Sequence, residues 1–270
     1  MIQISQIGVG YWGPNLLRNF VANKNCNVKS VVDLSEERRE FVRALYPSVL
    51  VSDKIEDIIN DKNIDAVVIA TPVSSHYNLA IECLQAGKHI LVEKPLATKV
   101  EQVQQIGKLA EEKSLKEMVG HTFLFNSAVR YVKKLIVSKE LGDIRYIYSQ
   151  RVNLGRIRTD VDAMWNLAPH DISIIQYWLD EPEPLKIQKV GMDYVQKGIE
   201  DVTFMNIEYS KGTMAHIHVS WLDPHKIRKM TVVGSKKMVV YDDIAENKIM
   251  IYDKGIDRMA VLGEQMDFDN

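Results

Sequence analysis

One stretch constrains the fold more than any other: Ile4-Ser5-Gln6-Ile7-Gly8-Val9-Gly10-Tyr11-Trp12-Gly13-Pro14. An apolar run ends at Gly8, and Gly8 to Gly13 spells G-x-G-x-x-G. Gly8 lets the chain turn sharply out of a strand. Gly10 has no side chain, so an anionic group can approach the backbone. Gly13 lets a helix pack tightly against the strand before it. Pro14 stands where a first helical residue belongs, and its missing N–H costs nothing there. The free N–H groups at such a helix end form an anion site.

Glycines also mark ordinary turns, so the surroundings decide. Leu16, Leu17, Phe20 and Val21 follow at helical spacing, and a second apolar run, Val28 to Val32, ends in Asp33. Asp33 lies 20 residues beyond Gly13 (33 − 13), where an acid is needed to bond the ribose hydroxyls of NAD. An acid there repels a 2′-phosphate, so NAD is expected over NADP.

Up to about residue 120, apolar runs alternate with helix-like stretches. The runs are Ile2–Val9, Val28–Val32, Val49–Val51, Ala66–Ala70, His89–Val92 and Met118–Val119. Helices are expected near 12–24, 35–46, 53–61, 74–86 and 98–113, with Ser35, Asp53, Ser74 and Thr98 as N-caps and Gly87 ending the fourth. Strands apolar throughout mean a parallel sheet covered on both faces, a Rossmann-type doubly wound domain over 1–120.

Past about residue 140 the pattern changes. Ile144–Val152, Ile187–Tyr194, Val202–Tyr209, Thr213–Trp221, Ile227–Val233 and Met238–Tyr241 follow one another with short turns, interrupted by one helix near 166–180. This predicts an α+β domain over 121–270 with a large, open, mainly antiparallel sheet. Met214, His216 and His218 alternate with Ala215, Ile217 and Val219, so one sheet face meets solvent or a partner subunit. Gly263–Asn270 is polar and is expected to fray.

At 270 residues the chain has room for two domains. With Lys+Arg 34 against Asp+Glu 36 it shows no footprint for nucleic acid or an acidic membrane surface. No apolar run has the length of a membrane span, and Met1 leads straight into a strand, so no leader and a cytoplasmic location are expected. Cys26 and Cys83 lack metal-ligand spacing and read as reduced, buried thiols, with no metal site expected.

Three further constellations could carry chemistry. Ala70-Thr71-Pro72-Val73-Ser74-Ser75-His76 and Val92-Glu93-Lys94-Pro95 follow the fourth and fifth strands, and ligands bind at that edge of an open parallel sheet. Lys94, held in a Pro-stiffened turn, can donate to a hydroxyl or carbonyl oxygen; the bland alternatives are a solvated Lys94 and a surface His76. The third is Met164-Trp165-Asn166-Leu167-Ala168-Pro169-His170-Asp171-Ile172, opening the inserted helix. Asn166 and His170, four apart, share a helix face, and His suits proton transfer near neutral pH. Equally, Asn166 could be an N-cap, Pro169 a first-turn residue and His170 a packed side chain.

Gly8 to Gly13, Ala70-Thr71-Pro72, Glu93-Lys94-Pro95 and the helix carrying His170, in this order, resemble the glucose–fructose oxidoreductase/inositol dehydrogenase/MocA family over residues 1 to roughly 255. The resemblance implies NAD(P)-dependent oxidation or reduction of a sugar or cyclitol carbon, and a homodimer or homotetramer built on the open sheet. It implies cofactor contacts from Gly8, Gly10, Tyr11, Trp12, Gly13, Asp33, Thr71, Pro72, His76, Glu93 and Lys94. It implies substrate contacts from Lys94, Trp165, Asn166 and His170, with Lys94 and His170 catalytic. Gly10-Tyr11-Trp12-Gly13-Pro14-Asn15, Gly120-His121-Thr122-Phe123, Asn153-Leu154-Gly155 and Trp165 to Asp171 are similar to a branch in surface-polysaccharide pathways. That branch typically oxidises C3 of a UDP-N-acetylhexosamine. Two departures stand out. The family usually has Asp at the place of Asn166, and an Asp would hold positive charge on His170. Relatives also run on past the sheet, so a short or truncated member is implied. A dehydrogenase of a free sugar or cyclitol, or a non-catalytic NAD-binding regulator, are the alternatives.

Overall fold

The computed structural model describes residues 1–155 and 157–256. The expected fraying of Gly263–Asn270 lies outside them. The chain divides into two units, Met1–His121 and a second beginning at Thr122.

The first unit alternates strand and helix: β1 (Ile2–Ile7), α1 (Gly13–Ala22), β2 (Cys26–Val32), α2 (Glu36–Leu45), β3 (Leu50–Ser52), α3 (Glu56–Ile59), β4 (Ala66–Ile69), α4 (Val73–Gln85), β5 (His89–Val92), α5 (Val100–Glu112) and β6 (Glu117–Val119). The six strands run in the order β3-β2-β1-β4-β5-β6, every pair parallel. This is the doubly wound Rossmann order, whose direction reverses between β1 and β4. Two separate apolar clusters pack this unit. One joins Ile7, Ile69 and Val92 to Ala80, Leu84 and Ile106; the other joins Val9, Val28 and Val31 to Leu17 and Val42.

Helix starts agree with expectation at one of the four caps and depart from it at the other three. Ser35 caps α2, its hydroxyl accepting from Arg38 N. Asp53 does not cap α3, which shrinks to one turn after Ile55. Ser74 lies inside α4, because Pro72 already sets the extended backbone at the boundary. Lys99, not Thr98, precedes α5. Gly87 takes φ +77°, as a glycine ending a helix does. Cys26 is only half buried, against the expectation; Cys83 is buried, and burial pushes its thiol up to about 12.

The second unit holds α6 (Ser127–Val137), β7 (Ile144–Val152), α7 (Ala163–Trp178), β8 (Pro184–Met192), β9 (Val202–Tyr209), β10 (Met214–Ser220), β11 (Ile227–Gly234), β12 (Met238–Asp242) and β13 (Ile249–Tyr252). The seven-stranded sheet runs β13-β12-β11-β7-β10-β9-β8. It is antiparallel except between β7 and β10, which pair parallel. Sequence reading overlooked α6 and β13. Residues 127–137 carry Val129, Val132 and Leu135 at helical spacing, and Asn126 caps them by accepting from Ala128 N and Val129 N. The inward face, with Ile147, Ala215, Ile217, Val219 and Val232, packs with Ile174, Ile175 and Trp178 of α7. On the outward face Tyr146 stacks on Tyr148 and Phe204 on His218, and these aromatics remain partly exposed.

Candidate functional site

The first unit gathers the expected cofactor residues along the carboxyl edge of its sheet. At the end of β1, Gly8 has φ +92°, and a Cβ there would meet Ala70 O at 2.7 Å. A Cβ on Gly13 would meet Gly8 O at 2.5 Å, so α1 starts against the strand it follows. Around the position of a Cβ on Gly10 there is no atom within 4 Å among the described residues. That open cradle, with the helix N-terminus beyond it, fits a pyrophosphate. Tyr11 is exposed and Trp12 half exposed on the same loop.

Gln6 escaped sequence analysis. Its amide Nε2, buried inside β1, donates to Gly8 O at 2.8 Å and to Gly13 O at 2.9 Å, fastening both ends of the loop. The available signal was Gln6 beside Ser5, two polar residues in a row near the end of a strand that then reaches Gly8.

Asp33 sits just past β2. Its Oδ2 accepts from Val9 N at 2.8 Å and its Oδ1 from Ser35 N at 2.9 Å. The carboxylate is thereby locked in place beside the glycine loop. Arg39 donates to Asp33 O at 2.7 Å and pairs with Glu36, so this nearby guanidinium already has an acid partner.

At the end of β4, Thr71 Oγ1 and Ser75 Oγ lie 2.7 Å apart, and Pro72 leads into α4. His76 is not the surface residue of the bland alternative. It is buried, with Nδ1 2.9 Å from Pro95 O and Nε2 2.8 Å from Thr71 O. Both ring nitrogens face carbonyls, so the ring braces the β4 and β5 loops against each other. Burial holds its pKa below the ordinary histidine value, against the raising effect of the two carbonyls.

Glu93 and Lys94 follow β5, both half buried. Burial pushes the Glu93 carboxyl up; the Lys94 backbone N–H, the Lys94 charge and the Trp12 side chain pull it down. Gly120 makes room for this carboxylate: a Cβ there would lie 3.0 Å from Glu93 Oε1. His121 follows Gly120, and its Nδ1 is buried with no hydrogen-bond partner among the described residues. Burial, then the Lys94 charge, keep His121 below the ordinary histidine pKa, so a neutral imidazole accompanies the lysine at pH 7. Sequence reading noted Gly120-His121 only within the resemblance and gave the pair no role.

In the second unit, Trp165, Asn166 and His170 lie on α7. The helix starts earlier than expected, because Asp162 caps it by accepting from Trp165 N at 2.7 Å. Asn166 is therefore not the cap; its N–H bonds Asp162 O within the helix. Pro169 falls beyond the first turn, where Trp165 O loses its helical donor. The His170 ring meets Phe123 edge-on, centroids 5.0 Å apart. Among the described residues, no group of three or more His, Cys, Asp or Glu is placed to hold a metal ion. None of their helices is long and apolar enough to cross a membrane.

Comparison with known proteins agrees with this architecture. Residues 2–121 match the model of the GFO_IDH_MocA oxidoreductase family, NAD-binding Rossmann fold, and residues 129–240 match the GFO/IDH/MocA C-terminal domain. The 4-carboxy-2-hydroxymuconate-6-semialdehyde dehydrogenase of Sphingobium is 29% identical over 65% of this chain and 58% of its own length. The scyllo-inositol 2-dehydrogenase (NADP(+)) of Bacillus subtilis is 34% identical over 60% of this chain and 46% of its own length. The chain thus spans about half the length of these curated relatives. The UDP-N-acetylglucosamine 3-dehydrogenase of Acidithiobacillus ferrooxidans is 27% identical over 92% of this chain and 76% of its own. The solved structure of that dehydrogenase superposes with a TM-score of 0.84 at 25% identity, covering 93% of this chain and 80% of the other. With both family models matched in tandem on a Rossmann unit and a large mixed sheet, the chain belongs to the Gfo/Idh/MocA oxidoreductase family and carries its NAD-binding Rossmann domain.

Proposed function

We propose that this chain is a nicotinamide-dependent dehydrogenase acting on a sugar carbinol carbon, C3 of a UDP-linked N-acetylhexosamine. The observation that carries the reading is Lys94, half buried at the carboxyl end of β5, on the sheet edge that holds the glycine cradle and Asp33. NAD, when bound, supplies the hydride acceptor. Gly8, Gly10 and Gly13 bring backbone to its pyrophosphate; Asp33 bonds its ribose. Tyr11, Trp12, Thr71, Pro72, Glu93 and Lys94 shape the rest of its site, and His76 braces the loops that carry them. Lys94 donates to the reacting hydroxyl oxygen and stabilises the charge that develops there. His170 takes the hydroxyl proton, while Trp165 and Asn166 hold the sugar. Asn166 can orient a ring by hydrogen bonding, but it offers no charge to favour an imidazolium.

The amino-sugar assignment is supported by the Acidithiobacillus dehydrogenase, whose similarity runs through nearly the whole of this chain. The inositol dehydrogenase relative favours a free cyclitol as second reading. Steady-state NADH formation with UDP-N-acetylhexosamines, free sugars and inositols separates them. Turnover confined to inositols would overturn the amino-sugar assignment, and turnover on nothing would leave a non-catalytic NAD-binding regulator. Unbridged Cys26 and Cys83 accord with a reducing cytoplasmic location.

Asp33 sets the cofactor preference. Wild type is expected to bind NADH more tightly than NADPH. Asp33→Ala should weaken NADH by about 10- to 100-fold, the worth of a charge-assisted hydrogen bond. Fluorescence titration measures both; NADPH binding as tight as NADH by wild type would sink the claim.

The outward sheet face serves a second copy of the chain, as homodimer or homotetramer. Tyr146, Tyr148, Phe204 and Met214 are each about two-fifths exposed there, with His216 and His218 between them, a surface rich in aromatic and apolar side chains of the kind that marks association. Light scattering at micromolar concentration is expected to give a multiple of 30.9 kDa. A monomer rules the interface out.

A further inference from the structure

Arg151 and Asp171 form a buried ion pair in the second unit. Their side chains are 4% and 1% exposed. Both Nε and Nη2 of Arg151 donate to the one oxygen Asp171 Oδ1, at 2.8 and 2.7 Å. Asp171 Oδ2 has no hydrogen-bond partner among the described residues. A pair this deep is costly to desolvate, and apolar side chains of the same volume would fill the space as well or better. Stability alone does not explain its presence.

Its surroundings do. The guanidinium of Arg151 lies over the ring of Phe123, 4.8 Å from ring centre. The same ring meets His170 edge to face, at 5.0 Å and 67°. Asp171 adjoins His170 on α7. The contacts therefore close on themselves: His170 to Phe123, Phe123 to Arg151, Arg151 to Asp171, and Asp171 back through one peptide bond to His170. Three separate elements contribute, the 3-10 turn at Thr122–Phe125, β7 and α7. Phe123 thus touches the imidazole along one contact and a planar cation with a fixed partner along another, so turning of the imidazole is coupled to the position of Phe123.

We propose that Arg151, Asp171 and Phe123 are positioning residues that fix the plane of the His170 imidazole. The proposal rests on the reading of His170 as the group that takes the substrate proton. Misplacing a reacting group by about 1 Å is enough to cost about 100-fold in rate.

Phe123→Leu tests it, because the ion pair survives while the aromatic wall is lost. The expected result is a fall in kcat of about 10- to 100-fold with an unchanged dissociation constant for NADH. Phe123→Tyr, which keeps the ring, should recover most of the loss. The second measurement is independent of turnover. In wild type the His170 Cε1–Hε1 resonance should carry a ring-current shift from Phe123, and Phe123→Leu should abolish it. Should Phe123→Leu fail to fold, Arg151→Lys keeps the charge but loses the planar fork, and should move the same resonance. An unmoved His170 resonance, or a Phe123→Leu enzyme with wild-type kcat, overturns the proposal. Wild type that turns over no sugar defeats the catalytic reading instead, and the resonance still decides whether Phe123 fixes the ring.

Discussion

Lys94→Ala is expected to lower kcat on the best substrate by a factor on the order of a hundred or more, with NAD binding largely retained. Two observations motivate this. Lys94 stands at the carboxyl end of β5, on the cofactor edge of the sheet, and the adjacent Glu93 and His121 are both shifted toward their neutral forms, chiefly by burial. In a half-buried position the Lys94 charge is less screened by water, so more of its field reaches an oxygen that gains charge in the transition state. The second is Asn166: in the proposed mechanism it offers His170 no charge of the kind an Asp would, and Lys94 is expected to carry more of the developing charge. His170→Ala should cost less, and Asn166→Asp should shift a limb of the pH–rate profile. Steady-state kinetics with the sugar-nucleotide panel, beside NADH titration of each variant, reads both quantities. A Lys94→Ala enzyme with near wild-type turnover would refute the mechanism.

Arg151→Ala is expected to destabilise the second unit by about 3–5 kcal/mol, the usual cost of removing one partner of a buried ion pair. The reason is geometric. Both bonds to the Asp171 carboxylate come from Arg151, and they share one oxygen. Without the guanidinium, a carboxylate with 1% of its side chain exposed loses both of its bonds from Arg151. Replacing both partners, Arg151→Met with Asp171→Leu, should recover most of that stability. Urea unfolding followed by tryptophan fluorescence suits the measurement, because Trp165, Trp178 and Trp221 all lie in the second unit. An Arg151→Ala variant within about 1 kcal/mol of wild type would show that the pair is not desolvated as the structure has it.

Local chemistry made much of this protein legible in its sequence. The glycine loop was readable because steric demand acts at single positions: only glycine tolerates φ +92° with Ala70 O at 2.7 Å from a Cβ. Asp33 was readable because a strand of fixed rise delivers the residue after β2 to one place. Strands β5, β7 and β9 were placed to the residue, since runs rich in Val, Ile, Tyr and Phe bounded by turn residues have little freedom.

Tertiary structure decided what depends on neighbours distant in the chain. Apolar patterning located the strands of the second sheet, but the parallel β7–β10 pairing inside it is a matter of connection, not of side-chain alternation. For His76 the sequence left a cofactor contact and a surface position both open; only the approach of Thr71 and Pro95 makes it a buried brace. Asp171 had no role in the sequence beyond its place next to His170 in the motif, because its partner Arg151 lies 20 residues away, on a strand packed with the helix. Gln6, Gly120 and His121 share that history. Burial and pairing are properties of the assembled space, and a one-dimensional pattern carries no distance between residues so far apart.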